Sequence, residues 1–211
     1  MGLFNFKKDA TSSNVSTGSN NDASDSMNLL NLSKNDILDL SKVDDSLVNV
    51  RVAAGWDVNT RGGRDYDLDL CAFLLNDKGK CIEKVYYGRK DKTPGVSLDG
   101  DNLTGEGDGD DENIRVNFNK VAPNVASIVF AVVIYSAKER RQSFRNVSNA
   151  FVRLVNTDAR DKEICRYQLT ENGGDNTAVT FAELYRTGDS WSFKAIGEYS
   201  CDSIGSLEDK Y

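Results

Sequence analysis

Histidine is absent from this chain of 211 residues, proline occurs twice, and the four cysteines are scattered without any C-x-x-C spacing. The first absence removes whole classes of chemistry: no Ser/His/Asp triad, no Cys/His dyad, no imidazole acid or base, and no His-ligated zinc or iron. What remains is chemistry by carboxylates, hydroxyls, thiols and amines, or a metal held by oxygen. Cys71, Cys81, Cys165 and Cys201 read as reduced, mostly buried small apolar residues of an intracellular protein. Cys71 and Cys81 flank a turn signal at Asn76-Asp-Lys-Gly79 and could face each other across a hairpin. Long apolar runs are missing too. The longest nearly unbroken one, 128–135, is far short of the roughly 20 residues that span a bilayer and suits a buried strand. Met1-Gly-Leu-Phe-Asn-Phe6 has the glycine of a myristoylation signal without its sixth-position hydroxyl. A soluble, cytoplasmic protein is expected.

Charge is present in excess of one sign, and in one place. There are 33 acidic and 26 basic residues, a formal net charge of −7. Residues 99–112 hold seven carboxylates (Asp99, Asp101, Glu106, Asp108, Asp110, Asp111 and Glu112) and no lysine or arginine; setting those seven aside leaves 26 acidic residues against 26 basic. The net charge is numerically that of one short segment.

Residues 1–27 read as a flexible polar tail, dominated from residue 9 by Ser, Thr, Asn and Asp, which cannot bury enough surface to offset the entropy of ordering. At its start, Leu3, Phe4 and Phe6 followed by Lys7 and Lys8 form a candidate weak docking patch for a protein or membrane surface; an ordinary disordered terminus is the simpler alternative. An ordered domain is expected over 28–200, with a C-terminal tail at 201–211. Leu30-Asn-Leu-Ser-Lys34 and Leu38-Asp-Leu-Ser-Lys42 suit two short strands around a turn. Period-two patterns follow at 48–52, 114–118 and 191–195, and strand-like runs at 68–75, 82–87, 127–135, 151–156, 163–169 and 178–185. Turn signals separate them at Asn76–Gly79, Ala122-Pro-Asn124, Asn172-Gly-Gly174 and Thr187-Gly-Asp189, and 137–149 could hold a short helix or an irregular crossover. Many short strands and few helices predict an all-β protein, a two-sheet antiparallel sandwich.

In the acidic segment, each like-charged pair about 5 Å apart costs on the order of 1 kcal/mol even in water, so ordering it calls for a countercharge. Gly100, Gly105, Gly107 and Gly109 let the backbone turn and present carbonyls, while Asn102 and Thr104 add neutral oxygens. Flexible, all-oxygen ligation suits Ca²⁺ better than Mg²⁺, and without His or Cys the softer metals fit poorly. The spacing is not that of an EF-hand, and it echoes the calcium β-roll repeat only once. A second acidic element, Asp65-Tyr-Asp-Leu-Asp69, puts Asp65, Asp67 and Asp69 on one side of an extended chain. Runs of charge are ordinarily solvated faces; here the glycine spacing and the second carboxylate cluster coincide, and the two elements together could enclose one or two cations.

Gly100-Asp-Asn-Leu-Thr-Gly-Glu-Gly-Asp-Gly-Asp-Asp-Glu112 resembles the signature of the TerD tellurium-resistance and stress-response family. The likeness extends to Gly55-Trp-Asp57, Asp65–Asp69 with Ala72-Phe-Leu-Leu75, Arg140-Arg-Gln-Ser-Phe144, Ala150-Phe-Val-Arg-Leu-Val-Asn156 and Glu183-Leu-Tyr-Arg186 with Trp191 and Phe193, covering roughly 28–199. The resemblance implies a β-sandwich binding Ca²⁺ through Asp67, Asp69, Asp101, Asn102, Asp108, Asp110, Asp111 and Glu112, with Asp57, Asp65, Asp99 and Thr104 as a second set. Three departures stand out: Cys71 where the family has Ser, the added tail, and Ser200-Cys-Asp-Ser-Ile-Gly205 in place of a glycine-rich ending.

Other features have plainer readings. The arginines of Arg140-Arg-Gln-Ser-Phe144 are expected to pair with carboxylates rather than mark a phosphorylation or nucleic-acid site, and Asn172-Gly-Gly-Asp-Asn-Thr177 carries too little charge for a second metal loop. The expected function is that of a non-enzymatic calcium-binding stress-response protein whose ordered loop meets other stress-response proteins of the same operon type, with no nucleic acid and no transmembrane segment. The alternatives are a metal-dependent phosphoryl-transfer or hydrolytic enzyme using the Asp cluster, and a small-ligand or nucleotide binder, for which no phosphate loop is visible.

Overall fold

The computed structural model describes residues 30–58, 66–99 and 109–211. Its twelve strands are β1 (Leu30–Leu32), β2 (Ile37–Asp39), β3 (Asn49–Val58), β4 (Leu68–Leu75), β5 (Cys81–Val85), β6 (Val96–Asp99), β7 (Glu112–Asn117), β8 (Ser127–Ile134), β9 (Val147–Asn156), β10 (Lys162–Gln168), β11 (Ala178–Thr187) and β12 (Ser190–Ser200). Among the described residues there are also two short α-helices, α1 (Ala137–Arg140) and α2 (Ile204–Lys210), and two 3-10 turns, at Leu40–Lys42 and Phe144–Asn146. One six-stranded sheet runs β1-β10-β9-β3-β7-β6 and the other β2-β12-β11-β8-β4-β5. Every ladder is antiparallel except β1 with β10. The expected all-β sandwich is observed.

Alternation builds the shared core. Val50, Val52, Ala54 and Trp56 of β3, Ile114 and Val116 of β7, and Val152 and Leu154 of β9 face Leu68, Leu70, Ala72 and Leu74 of β4 and Phe130, Phe181 and Phe193 of the second sheet. Each of the valine, leucine, isoleucine and phenylalanine side chains contributes about 1.5–3 kcal/mol by leaving water. The unbroken runs of β4 and β8 have a further cause: both faces are buried. The outer face of the second sheet carries Cys71, Phe73, Leu75, Val129 and Ala131, and Leu207 of α2 packs onto them with no exposed surface. Residues 201–211, expected as a tail, therefore supply a cover. The Tyr211 carbonyl accepts a hydrogen bond from the Cys81 N–H on edge strand β5, and Lys84 pairs with Glu208.

Two further readings change. The repeat at 30–34 and 38–42 does give two short strands, but they part into opposite sheets, because residues 35 and 36 bond to Ala195 of β12 and deliver β2 beside it. Residues 40–42 form a 3-10 turn capped by Asp39. Cys71 and Cys81 do not face each other: the β4–β5 register puts Leu75 opposite Cys81 and Ala72 opposite Val85, and all four thiols are free. Strand β6 has no clear signal in the sequence. Among the described residues no helix is long and apolar enough to cross a membrane.

Candidate metal centre

One end of the sandwich brings together the end of β3 and the starts of β4 and β7. Antiparallel pairing of Ala54 with Glu112 brings the end of β3 to the start of β7, and pairing of Leu68 with Ile134 brings the start of β4 to the end of β8. The chain leaves β3 at Val58 and returns at Tyr66, and leaves β6 at Asp99 and returns at Gly109, all at this end. Asp65, Asp101, Asn102, Thr104 and Asp108 lie outside the described residues.

The acidic segment re-enters through a tight passage. Gly109 has φ +120°, a conformation that side chains rarely adopt, and its carbonyl lies over Gly55; a Cβ on Gly55 would stand 2.5 Å from that oxygen and 2.5 Å from the Phe151 ring. The next three residues are then held by three different elements. Asp110 accepts two hydrogen bonds from Arg153 of β9, from Nε and from Nη2, each 2.7 Å. This is the two-pronged geometry in which guanidinium and carboxylate bind most strongly. Asp111 accepts from the Trp56 N–H at 2.8 Å, and its own N–H donates to the Ala54 carbonyl at 2.9 Å. Glu112, 1% exposed, reaches between the sheets and accepts from the Leu70 N–H of β4. That N–H is available because β5 stops at Val85, opposite Ala72.

Asp57, exposed at the end of β3, accepts from Asn149 at 2.6 Å. Burial raises the Asp111 carboxyl above its ordinary value; the Trp56 N–H opposes this, and the negative charges of Asp57 and Asp110 add to it. Asp67 lies 3.5 Å from the Arg140 guanidinium, which also stacks 4.9 Å over Tyr135. Asp69 is buried on the outer face of the second sheet. Burial raises both Tyr87 and Cys71, and Asp69 raises each further, joined by Asp67 at Tyr87 and by Glu112 at Cys71. Asp99 instead turns to Arg115 on β7. Arg145 pairs with Asp175 at 2.7 Å, so two basic residues in and beside the 140–144 motif do meet carboxylates.

Arg153 and the amides of Trp56 and Leu70 were not legible as parts of this centre. Arg153 reads in sequence as one outward position of an alternating strand, and an amide has no sequence signature at all. The candidate donors are hard oxygens throughout, so the residue types suit a divalent cation such as Ca²⁺. Among the described residues no three acidic or thiol side chains close into a cage by themselves.

The TerD domain, as a sequence family, matches residues 28–211. Tellurium resistance protein TerD of an Alcaligenes species is 45% identical over 186 residues, 86% of this chain and 96% of that one. The protein of that name from Serratia marcescens is 42% identical over the same shares. General stress protein 16U of Bacillus subtilis (strain 168) is 43% identical over 173 residues, 80% of this chain and 89% of that one. In fold, the chain resembles the crystal structure of a homologue of telluride resistance protein from Streptomyces coelicolor A3(2), with TM-score 0.63 and 19% identity over 77% of this chain and 96% of that one. With its two-sheet architecture and acidic segment in place, the chain belongs to the TerD family of tellurium-resistance and stress-response proteins.

Proposed function

We propose that this chain is a non-enzymatic, cytoplasmic Ca²⁺-binding protein of the stress response, holding one or two ions at the acidic end of the sandwich. The observation that carries the reading is convergence of strand ends: Asp57 at the end of β3, Asp67 and Asp69 at the start of β4, and Asp111 beside the start of β7 belong to the same end of the sandwich, where the chain leaves at Asp99 and returns at Gly109. Asp101, Asn102 and Asp108 complete the proposed donor set. Asp110 and Glu112 have the different task of holding the segment to β9 and β4. A bound cation would supply the countercharge that lets the acidic segment order into a surface for partner proteins, in the first place other stress-response proteins.

Thermal melting in EDTA and in millimolar Ca²⁺ tests it. A ligand at 100 times its dissociation constant stabilises a fold by about 2.7 kcal/mol, which for a domain of this size raises the midpoint by roughly 5–10 °C. An unchanged midpoint refutes the proposal. Arg140 beside Asp67 favours one second reading, phosphoryl transfer with a cation and an arginine on the phosphate. Turnover in a phosphatase and nucleotidase screen, dependent on added metal, would replace the first reading with the second.

A further inference from the structure

We infer that Arg153 is a positioning residue for the cation centre: it fixes the root of the acidic segment on the outer face of the first sheet, and so sets how tightly the segment holds a cation. The inference rests on the calcium reading above.

Arg153 is held from both sides. Its Nε and Nη2 grip both oxygens of Asp110, and its Nη1 donates to Glu163 of β10 at 2.7 Å. Glu163 in turn accepts from Arg166 at 2.9 and 3.2 Å. The Arg166 guanidinium lies 4.2 Å over the Phe151 ring, and that ring bounds the space at Gly55 over which the Gly109 carbonyl passes. The chain of contacts from Asp110 through Arg153, Glu163 and Arg166 to Phe151 therefore returns to the residue preceding Asp110. Arg51 stands behind it, 4.0 Å from Asp110 and 3.7 Å from Asp161.

The chemistry gives this arrangement a consequence. With one N–H of the guanidinium on each of its oxygens, Asp110 anchors the segment to β9. A planar fork held on both sides loses little freedom in gripping a carboxylate, so the re-entry point is set before any ion arrives. A donor set whose backbone is already in place binds more tightly than one that must be ordered on binding. An arginine that simply competed with the ion for Asp110 would act with the opposite sign.

The experiment is calorimetric titration of the full chain with CaCl₂, run on wild type, Arg153→Ala, Arg153→Lys, Asp110→Ala and the Arg153→Ala/Asp110→Ala pair. Alongside it, the metal-free proteins are digested with an endoproteinase that cleaves at acidic residues, following cuts within 100–108. Arg153→Ala should weaken binding at least tenfold at unchanged stoichiometry and speed those cuts, with Arg153→Lys in between. The double variant should be no worse than Asp110→Ala, because the arginine acts through that residue. Binding in Arg153→Ala as tight as wild type or tighter, or unchanged cleavage at 100–108, overturns the inference. If wild type gives no heat with CaCl₂, the calcium reading falls, and cleavage alone decides whether Arg153 anchors the segment. Should Arg153→Ala not fold, Arg153→Lys and Glu163→Gln carry the same test.

Discussion

Gly55→Ala is the sharpest single perturbation of this centre. A methyl group there would lie 2.5 Å from the Gly109 carbonyl oxygen and 2.5 and 2.6 Å from two atoms of the Phe151 ring. Carbon atoms pack best at about 3.5–4.0 Å, so a shift of the order of 1 Å is demanded. Neither neighbour yields cheaply. The oxygen is backbone, joined directly to the Arg153-bound Asp110, and the ring lies under the Arg166 guanidinium. Overpacking of this kind costs about 1–3 kcal/mol; at the middle of that range the melting temperature falls by about 4–8 °C for a domain of this size. Differential scanning calorimetry in EDTA measures the stability term, and CaCl₂ titration below the melting range measures the displacement of the acidic root, expected as weaker binding. Gly79→Ala is the control. It has φ +72° at the tip of the β4–β5 hairpin with nothing within 4 Å of a Cβ, so only the backbone term of about 1 kcal/mol applies and Ca²⁺ binding stays intact. A Gly55→Ala protein that melts and binds as wild type does would refute the close passage of Gly109 over β3.

Glu112→Ala leaves the buried Leu70 N–H without its acceptor and should cost about 2–3 kcal/mol in urea unfolding, with Glu112→Gln losing less because an acceptor oxygen remains. Among the thiols, Cys201 is exposed, whereas burial raises Cys71 and raises Cys81 in part, and pushes Cys165 up to about 12. Ellman's reagent should therefore label Cys201 rapidly in the native protein, and fast labelling of Cys71 or Cys165 would contradict the packing of β4 and β10. Burial alone would raise Glu163, but hydrogen bonds from Arg166 and Arg153 outweigh it and hold the carboxyl below its ordinary value. Its contribution to stability is thus fully present above the ordinary carboxylate value near ~4.3 and is lost as pH falls through the lower folded-state value. Glu163→Gln should flatten the acid limb of the stability profile in that window, and an acid limb of unchanged steepness would count against the Arg153–Glu163–Arg166 cluster.

The long strands were legible because their burial leaves a pattern in the chain. The run 68–75 matches β4 residue for residue, and 127–135 matches β8 to within one residue. The four-residue β6 carries too few side chains to announce itself. The parting of β1 and β2 depends on backbone hydrogen bonds, from the Asn35 N–H to the Ala195 carbonyl and from the Ala195 N–H to the Asp36 carbonyl, which side-chain identity does not encode. In α2, Leu207 with Ile204, and Tyr211 just beyond, cover a sheet face, too small a set to show helical periodicity. The candidate site divides in the same way. Asp67, Asp69, Asp110, Asp111 and Glu112 could be picked out as acidic from the sequence, yet their different tasks could not.

By itself, the sequence determined the class of chemistry and the class of fold. A chain without histidine has no imidazole chemistry, its seven carboxylates and four glycines in one short segment are the donor types a hard cation takes, and repeated alternation buries apolar surface as sheets. Tertiary structure alone decided which carboxylates are spoken for. Arg153 lies 43 residues beyond Asp110 along the chain, and the amides of Trp56 and Leu70 belong to two different sheets. A carboxylate's role is set by the nearest hydrogen-bond donor in space, and for three consecutive acidic residues the fold supplies three different ones.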